Sequence, residues 1–259
     1  MHIFILCTAA VLAYMSCWFL AARIMERNDL ADVAWGPGFI VAAGVSLAAG
    51  GQYSPRGLLL CGLVLAWGTR LALHIHSRNR GKGEDPRYKK WREEWGRWFV
   101  LRTFLQVFML QGALLIVVAF PVIFVIARPA YPLGPLDALG TLIWLAGFIF
   151  ETIGDRQLLL FLRDPANKGR LMTGGLWRYT RHPNYFGEVA LWWGVWLIAV
   201  SVPGGWLTVI GPLTITALIL KVSGIPMLER RYYGRPDFED YRRRTSAFFP
   251  LIPHNGEQK

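Results

Sequence analysis

The segment LWRYTRHPNYFGEVALWWG, residues 176–194, joins a basic loop to an apolar helix. Pro183 suits the first position of that helix, and Asn184 and Glu188 follow at i and i+4, on one helical face. The cationic or potentially cationic side chains around its start are Arg170, Arg178, Arg181 and His182. A helix N-terminus beside arginines favours anions, so the segment indicates a cleft for a ligand with phosphates outside and a hydrogen-bonding end inside. The alternative is a helix cap in which Glu188 pairs with an arginine.

Apolar runs lie on both sides of this segment. The chain has 259 residues and is 54% hydrophobic, above the roughly 45–50% of soluble domains. Runs of about 17–25 apolar residues can cross a hydrocarbon layer of ~30 Å as helices. Seven such runs occur, at residues 3–22, 33–50, 57–77, 104–127, 136–156, 186–202 and 205–226. The pattern predicts an all-α membrane protein with seven transmembrane helices. The first run lacks a basic start and a small-residue cleavage site, so we expect a retained helix rather than a signal peptide.

The distribution of Lys and Arg predicts the orientation of these helices. Four loops hold 2, 8, 6 and 8 of them, at residues 23–32, 78–98, 156–182 and 221–259. The alternate loops hold only Arg56 and Arg128. The positive-inside rule then predicts an N-terminus outside and a cytoplasmic C-terminus in a multi-pass protein, of the cytoplasmic (inner) membrane if the source is bacterial. The net charge of +11 is therefore assigned to topology, and no nucleic-acid partner is expected.

Residues for a metal site or a Rossmann turn are not grouped in the sequence. The three cysteines fall inside apolar runs, and His74 and His76 are two apart, so on a helix they point in different directions. The stretch 81–83 reads Gly-Lys-Gly and lacks the third glycine of a dinucleotide fingerprint. We expect no metal, and no nucleotide held by a Rossmann turn.

Two further patterns lie in or beside the basic loops. Trp91, Trp95 and Trp98 recur at i, i+4 and i+7, which predicts an amphipathic helix at the membrane interface. Glu151 and Asp155 share one face of the fifth apolar run, near its end. Carboxylates at membrane depth cost about 2.5–3.5 kcal/mol on insertion scales, so this pair is consistent with a polar cleft or with snorkelling toward the interface.

Several motifs together resemble the steroid 5α-reductase family. GGLWRYTRHPNYFGE, beginning at Gly174, and the FEDY tail resemble the C-terminal half of that family. DVAWGPGF (Asp32–Phe39) and NRGKGEDPRY (Asn79–Tyr88) resemble the N-terminal half of its compact bacterial-type members. The C-terminal pattern alone is also similar to membrane methyltransferases of the isoprenylcysteine and phospholipid type.

The resemblance implies NADPH bound among the helices and hydride transfer to the β-carbon of a 3-oxo-Δ4 steroid or similar enone. Carried over by motif, the implied cofactor-binding residues are Asn79, Arg80, Lys82, Asp155, Arg163, Arg170, Tyr179, His182, Asn184, Glu188 and Tyr233. Less directly, Glu84, Asp85 and Arg87 join them. Arginines suit this ligand because a pyrophosphate and a 2′-phosphate carry several negative charges.

The carbonyl-polarising acid departs from the family pattern. Steroid-reducing animal members place a Gln-Glu pair in the second span and a Tyr in the third, and neither aligns clearly here. Asp32, beside Trp35, is our candidate, because a carboxylic acid kept neutral in a dry site can donate to a carbonyl oxygen. The alternative is a helix-capping Asp32, or one paired with Arg23 or Arg27.

The sequence therefore predicts one integral-membrane domain over residues 1–259, with a substrate-side half at 1–98 and a cofactor-binding half at 99–259. We expect a monomeric NADPH-dependent enone reductase with membrane lipid and a steroid-like substrate as partners. An S-adenosylmethionine-dependent membrane methyltransferase is the first alternative. A non-enzymatic lipid-binding or transport bundle is the second.

Overall fold

The computed structural model describes residues 2–50, 53–81, 83–84 and 86–254, and helices dominate them. The α-helices are α1 His2–Ile24, α2 Leu30–Gly50, α3 Pro55–Asn79, α4 Pro86–Trp95, α5 Phe99–Arg102, α6 Leu110–Val118, α7 Phe120–Ile126, α8 Pro135–Arg163, α9 Pro183–Val200, α10 Ile210–Ala217, α11 Ile225–Glu229 and α12 Pro236–Arg244. Short 3-10 turns cover Gly96–Trp98, Pro165–Asn167, Gly175–Arg178 and Gly205–Val209, and π-helical segments cover Thr103–Met109 and Leu218–Val222. In these described ranges no β-strand forms, and Thr180 and Ser246 make an isolated parallel bridge.

Six helical segments of the described chain are long and apolar enough to cross a membrane. They are His2–Ile24, Leu30–Gly50, Pro55–Asn79, Lys90–Val118, Pro135–Arg163 and Gly205–Glu229. The predicted multi-pass all-helical architecture is confirmed at this level. Helix α9, predicted as a seventh span, is not among the six, because its first turns carry Asn184 and Glu188. The count of seven and the orientation of the termini stay predictions.

The fourth predicted span has different bounds in the structure. Helical backbone runs from Lys90 to Val118, and a separate α7 follows after Ala119, where Pro121 sits at the start of the new helix. Trp91 and Trp95 share a face of α4 as predicted, with stacked rings 5.0 Å apart, whereas Trp98 falls in the following 3-10 turn. The predicted amphipathic helix thus leads directly into a candidate span.

The chain divides into two compact units, and the first comprises Met1–Asp137 and Ile198–Gly211. Inside it the backbones of α2 and α3 are in direct contact. A Cβ added to Gly36 would lie only 2.6 Å from the carbonyl oxygen of Gly68. Phe39 and Trp67 fill the adjacent core, with ring centroids 5.3 Å apart. Glycine at both crossing positions is therefore required by the close approach of the two helices.

A buried ion pair closes one end of this first unit. Arg56 donates to both carboxylate oxygens of Asp137, at 2.6 and 2.8 Å, and to the carbonyl of Pro132 at 2.7 Å. Only 3% and 4% of the two side chains are exposed. The fork of bonds holds the segment before α8 against the start of α3. The sequence count had treated Arg56 only as a charge on the sparsely charged side.

The second unit comprises Ala138–Leu197 and Pro212–Lys259, and a close contact of α8 with α9 organises it. A Cβ on Gly187 would lie 2.5 Å from the carbonyl oxygen of Gly147 and 2.5 Å from the amide nitrogen of Glu151. Two turns further, a Cβ on Gly194 would lie 2.6 Å from the carbonyl oxygen of Gly140. These glycines let the two backbones touch, which fixes where the polar residues of α9 stand against α8.

The tail after α12 folds back onto the segment that precedes α9. The amide of Arg181 donates to Ser246 at 2.9 Å, and the amide of Leu251 donates to Tyr179 at 3.0 Å. The hydroxyl of Thr180 donates to the carbonyl of Phe248 at 2.9 Å. The division of the chain into one domain with halves 1–98 and 99–259 stays a prediction.

Candidate functional site

The half-buried contact of Asp155 on α8 with Asn184 on α9 is the centre of the candidate site. Asn184 Nδ2 donates to Asp155 Oδ1 at 3.1 Å, and Asp155 is 7% exposed. Asn184 Oδ1 is buried and has no donor among the described residues. A buried amide oxygen without a donor is costly, so it suits a ligand that brings an N–H or O–H group.

Two side-chain bonds hold the loop before α9 against α8. The indole of Trp177 donates to the carbonyl of Gly154 at 3.1 Å, and the side-chain oxygen of Gln157 accepts from the amide of Leu176 at 3.0 Å. Both bonds lie within one turn of Asp155 along α8. The stretch quoted from the sequence is therefore fixed to α8 before its helix begins, and Asn184 enters the site from a constrained start.

A buried cluster of Arg181, His182 and Glu229 lies beside this start. Arg181 Nε donates to Glu229 Oε1 at 2.8 Å, and His182 Nε2 lies 3.0 Å from the same oxygen. All three residues are at most 7% exposed. A neutral His182 that donates from Nε2 to this carboxylate presents Nδ1 as an acceptor. His182 Nδ1 is buried and finds no donor in the described ranges.

A cavity of about 900 Å³ opens on the loop and tail of the second unit, a volume within the usual range of ligand sites. Its charged and ionisable lining residues are Arg170, Arg178, Asp237, Asp240, Arg244 and His254. Three guanidinium groups can bind phosphate oxygens in bidentate fashion. Asp237 is engaged by Arg235, at 2.7 Å, which lowers the pKa of this exposed carboxyl. The cavity therefore offers anion-binding groups around the predicted Arg170.

Tyr241 forms one wall of this cavity and connects it to the loop before α9. Its hydroxyl donates to the carbonyl of Trp177. Burial raises the pKa of Tyr241 above its ordinary value. The phenol therefore stays neutral at physiological pH and acts as a hydrogen-bond donor rather than as a base.

The remaining predicted residues of the second unit occupy more exposed positions. Arg163 is the exposed last residue of α8, and Glu188 is half-buried on α9. Tyr179 is 42% exposed, with its carbonyl bound to the tail. Tyr233 is 53% exposed, and the guanidinium carbon of Arg242 lies 5.6 Å from its ring centre. The structure thus joins Asp155 to Asn184 directly and places Arg170 in the cavity.

In the first unit the predicted residue Asn79 belongs to a polar network. Asn79 Nδ2 donates to Asp29 Oδ2 at 3.2 Å. Glu84 Oε1 accepts from the amide and the side chain of Asn28, at 3.0 and 2.8 Å. Both Asn28 and Asp29 are buried. Arg80 is exposed at the end of α3, and Lys82 lies outside the described residues, as does Asp85.

The candidate acid Asp32 lies half-buried in the first turn of α2. Its amide donates to the carbonyl of Asp29 at 3.2 Å. Trp35 is half-buried one turn later and packs edge-on against Phe39, with ring centroids 5.1 Å apart. Arg27, a possible partner of Asp32 in the sequence, bonds Asp29 at 2.6 Å.

Sequence reasoning missed Glu229 and Arg244 as members of the site, and it included Arg178 only among the cations around the start of α9. Glu229 is 48 positions from Arg181, so no local spacing could pair them. The only sequence signal was its position as a carboxylate at the end of an apolar run. Arg244 is one of three consecutive arginines, which the sequence analysis counted only among the charges of the loop 221–259.

Comparisons with known proteins place the chain in a family. A family model described as "Protein of unknown function (DUF1295)" matches residues 18–245. Over 119 residues the chain is 28% identical to 3-oxo-5-alpha-steroid 4-dehydrogenase 1 of Rattus norvegicus, covering 46% of this chain and 42% of the relative. The Mus musculus protein of the same name is 29% identical over 119 residues, covering 46% and 43%. These matches thus span less than half the length of either relative.

A shorter match points to a different class of enzyme. Over 51 residues the chain is 39% identical to "Probable O-methyltransferase ustE" of Ustilaginoidea virens, covering 20% of this chain and 18% of the relative. No solved structure matches the chain significantly. The family model covers most of the chain, and the chain therefore belongs to the DUF1295 family, which is related to the steroid 5-alpha-reductases.

Proposed function

We propose that the protein is a membrane-embedded, NADPH-dependent reductase of the C4=C5 double bond of 3-oxo-Δ4 steroids or similar lipophilic enones. The observation that carries the proposal is the half-buried Asp155–Asn184 contact, which leaves the buried Asn184 Oδ1 without a donor in the described part of the chain. The relation to steroid 5-alpha-reductases and the six candidate spans support a reductase with a lipophilic substrate.

The donors and acceptors of the second unit fit this cofactor. Asn184 Oδ1 and His182 Nδ1 are buried acceptors, which suit a carboxamide N–H and a ribose O–H. The guanidinium groups of Arg170, Arg178 and Arg244 would hold phosphate oxygens, because planar forks bind them in pairs. NADPH bound there would supply a hydride to the β-carbon of the enone and leave as NADP⁺, and a proton from water would complete the reduction at the α-carbon.

The role of the protein is to bind, orient and polarise. Asp155 holds the Asn184 amide so that its oxygen faces the ligand, and Glu229 holds His182 through Nε2. We assign Asp32 to the carbonyl oxygen of the substrate, as a neutral acid that donates a hydrogen bond, with Trp35 as an apolar wall beside it. Withdrawing electron density through that oxygen makes the β-carbon a better hydride acceptor.

Turnover tests this proposal directly. Purified protein in detergent, given NADPH and a panel of 3-oxo-Δ4 steroids, should oxidise NADPH and yield 4,5-dihydro products. Asp32→Asn should lower kcat by roughly 10²–10⁴ with NADPH binding retained, the scale for losing a positioned acid or electrostatic donor. Glu26→Gln is the matched control, because Glu26 is an exposed carboxylate close to the start of α2.

Two results would contradict these assignments separately. Unchanged turnover in Asp32→Asn would remove Asp32 from the mechanism without affecting the reductase assignment. No turnover of any enone by folded, NADPH-binding protein would contradict the substrate class.

A membrane methyltransferase is the second candidate function, and the 51-residue similarity to ustE favours it. S-adenosylmethionine carries a sulfonium cation and has no phosphate. Its one anionic group is the methionine carboxylate, whereas the phosphates of NADPH bring several negative charges to the arginines of the 900 Å³ cavity. The two candidates therefore differ in which nucleotide stabilises the protein.

A further inference from the structure

A second cavity, of about 330 Å³, lies beside the tail of the second unit. Its lining includes Arg181, Arg242, Arg243, Arg244, Leu251 and Ile252. Of the described residues, no Asp or Glu lines it. A small cavity lined by both arginines and branched aliphatic side chains is chemically complementary to an amphiphilic anion.

Arg181 locates this cavity near the boundary of a candidate span. Glu229 is the last residue of the span Gly205–Glu229, and Arg181 Nε donates to it at 2.8 Å. The same guanidinium group donates to the carbonyl of Arg242 at 3.2 Å and to that of Thr245. One side chain therefore joins the end of this candidate span to the cavity wall.

The arginines of α12 keep charge available for a ligand. Two carboxylates pair with them: Glu239 with Arg242 at 3.3 Å, and Asp240 with Arg243 and Arg244. The arginine side chains in these pairs are 50%, 74% and 53% exposed. Exposed pairs of this kind contribute at most about 1 kcal/mol each, so a phosphate can share or replace the carboxylates. Three guanidinium groups against two carboxylates leave a net positive charge at the rim.

The aliphatic side of the cavity is open to its surroundings. Leu251 is 55% exposed and Ile252 is 85% exposed, and the neighbouring Phe249 is 62% exposed. Three large apolar side chains grouped in four residues are unfavourable in water but stable against acyl chains. The amide of Leu251 is bound to Tyr179, so this apolar edge is held in place rather than free to withdraw.

We propose that this cavity binds the headgroup of an anionic phospholipid, with its phosphate on Arg242 and Arg243 and its acyl chain along Leu251 and Ile252. Basic pockets at the ends of spans are known to attract such headgroups, at about 1 kcal/mol for each Lys or Arg near the surface. Arg242 and Arg243 do not line the larger cavity, so they distinguish this site from the cofactor site, although Arg244, Thr245 and His254 line both cavities.

The test compares lipid binding in two charge-matched variants. Arg242→Gln/Arg243→Gln removes two cations from the cavity, whereas Lys90→Gln/Lys168→Gln removes two exposed lysines from outside it. Native mass spectrometry of detergent-purified protein, titrated with phosphatidylglycerol or phosphatidylcholine, measures the affinity of each lipid. At ~1 kcal/mol for each arginine, the first variant should bind phosphatidylglycerol up to about 25-fold more weakly. The lysine variant should bind it as the unmodified protein does, and phosphatidylcholine binding should change little in either variant.

Three outcomes would overturn the lipid site. Equal losses in the two variants would show general charge attraction rather than a site. Displacement of the lipid by inorganic phosphate at the same concentration would show a site for soluble anions. Loss of NADPH stabilisation by Arg242→Gln/Arg243→Gln, with lipid binding retained, would assign these arginines to the cofactor.

Discussion

Removing the Glu229 carboxylate should destabilise the second unit far more than removing an exposed carboxylate that also pairs with an arginine. Glu229 accepts from Arg181 and His182, and its side chain is 7% exposed. Glu229→Ala leaves the Arg181 guanidinium buried without its counter-charge. Breaking a buried pair in this way costs about 3–5 kcal/mol. Glu239→Ala is the matched control, since Glu239 pairs with Arg242 at 3.3 Å with its side chain 38% exposed.

The difference is large enough to measure by thermal unfolding in detergent. At roughly 2–4 °C per kcal/mol for chains of 150–250 residues, Glu229→Ala should lower Tm by on the order of 10 °C. Glu239→Ala should lower it by no more than about 2–4 °C, because exposed pairs contribute at most about 1 kcal/mol. Equal shifts in the two variants would refute the reasoning, since burial would then have no influence on the value of the pair.

Three further perturbations test the packing and the protonation states. Gly187→Ala should destabilise the protein by about 1–3 kcal/mol or more, because its Cβ would lie 2.5 Å from the backbone of α8. Gly62→Ala is the control and should stabilise the protein slightly, because nothing lies within 4 Å of the added Cβ. Equal losses of Tm in the two variants would contradict the close contact of α8 with α9. Asp137→Asn should cost about 3–5 kcal/mol by leaving a buried guanidinium without its counter-charge, and an unchanged Tm would contradict this. The pKa of Tyr241 is higher in the folded state than its unfolded value of about 10, so its contribution to stability should be full below about pH 10 and fall as the pH rises from there toward the folded pKa. Tyr241→Phe should flatten this fall in Tm. An unaltered pH profile of Tm in the variant would exclude this phenol as the cause.

Local patterns in the sequence predicted the helices and the start of the site. Apolar runs of membrane length marked the candidate spans, because length and hydropathy are local properties of the chain. Pro183, Asn184 and Glu188 marked the start of α9 for the same reason. Helix α9 was predicted as a span but is not among the six candidate spans, and the reason is physical. The polar residues that indicate a site also lower the mean hydropathy of the helix that carries them.

Contacts between distant parts of the chain could not be predicted in the same way. The return of the tail onto Thr180 and the pairing of Arg181 with Glu229 join positions 48 to 68 residues apart. The pairing of Arg56 with Asp137 spans 81 residues. Charge counting assigned such arginines to topology, whereas in the folded chain both are buried and bound by carboxylates. The periodicity of a sequence does not predict which buried cation pairs with which carboxylate.

The most direct test of the central claim is nucleotide-dependent stabilisation of the purified protein. A ligand that binds only the folded state stabilises it by about 2.7 kcal/mol at a hundredfold excess over Kd. NADPH should raise Tm clearly, NADH less, and S-adenosylmethionine not at all, because only NADPH brings a 2′-phosphate to the arginines of the larger cavity. Asn184→Ala and Arg170→Ala should each reduce the NADPH shift. A shift with S-adenosylmethionine and none with NADPH would contradict the reductase account.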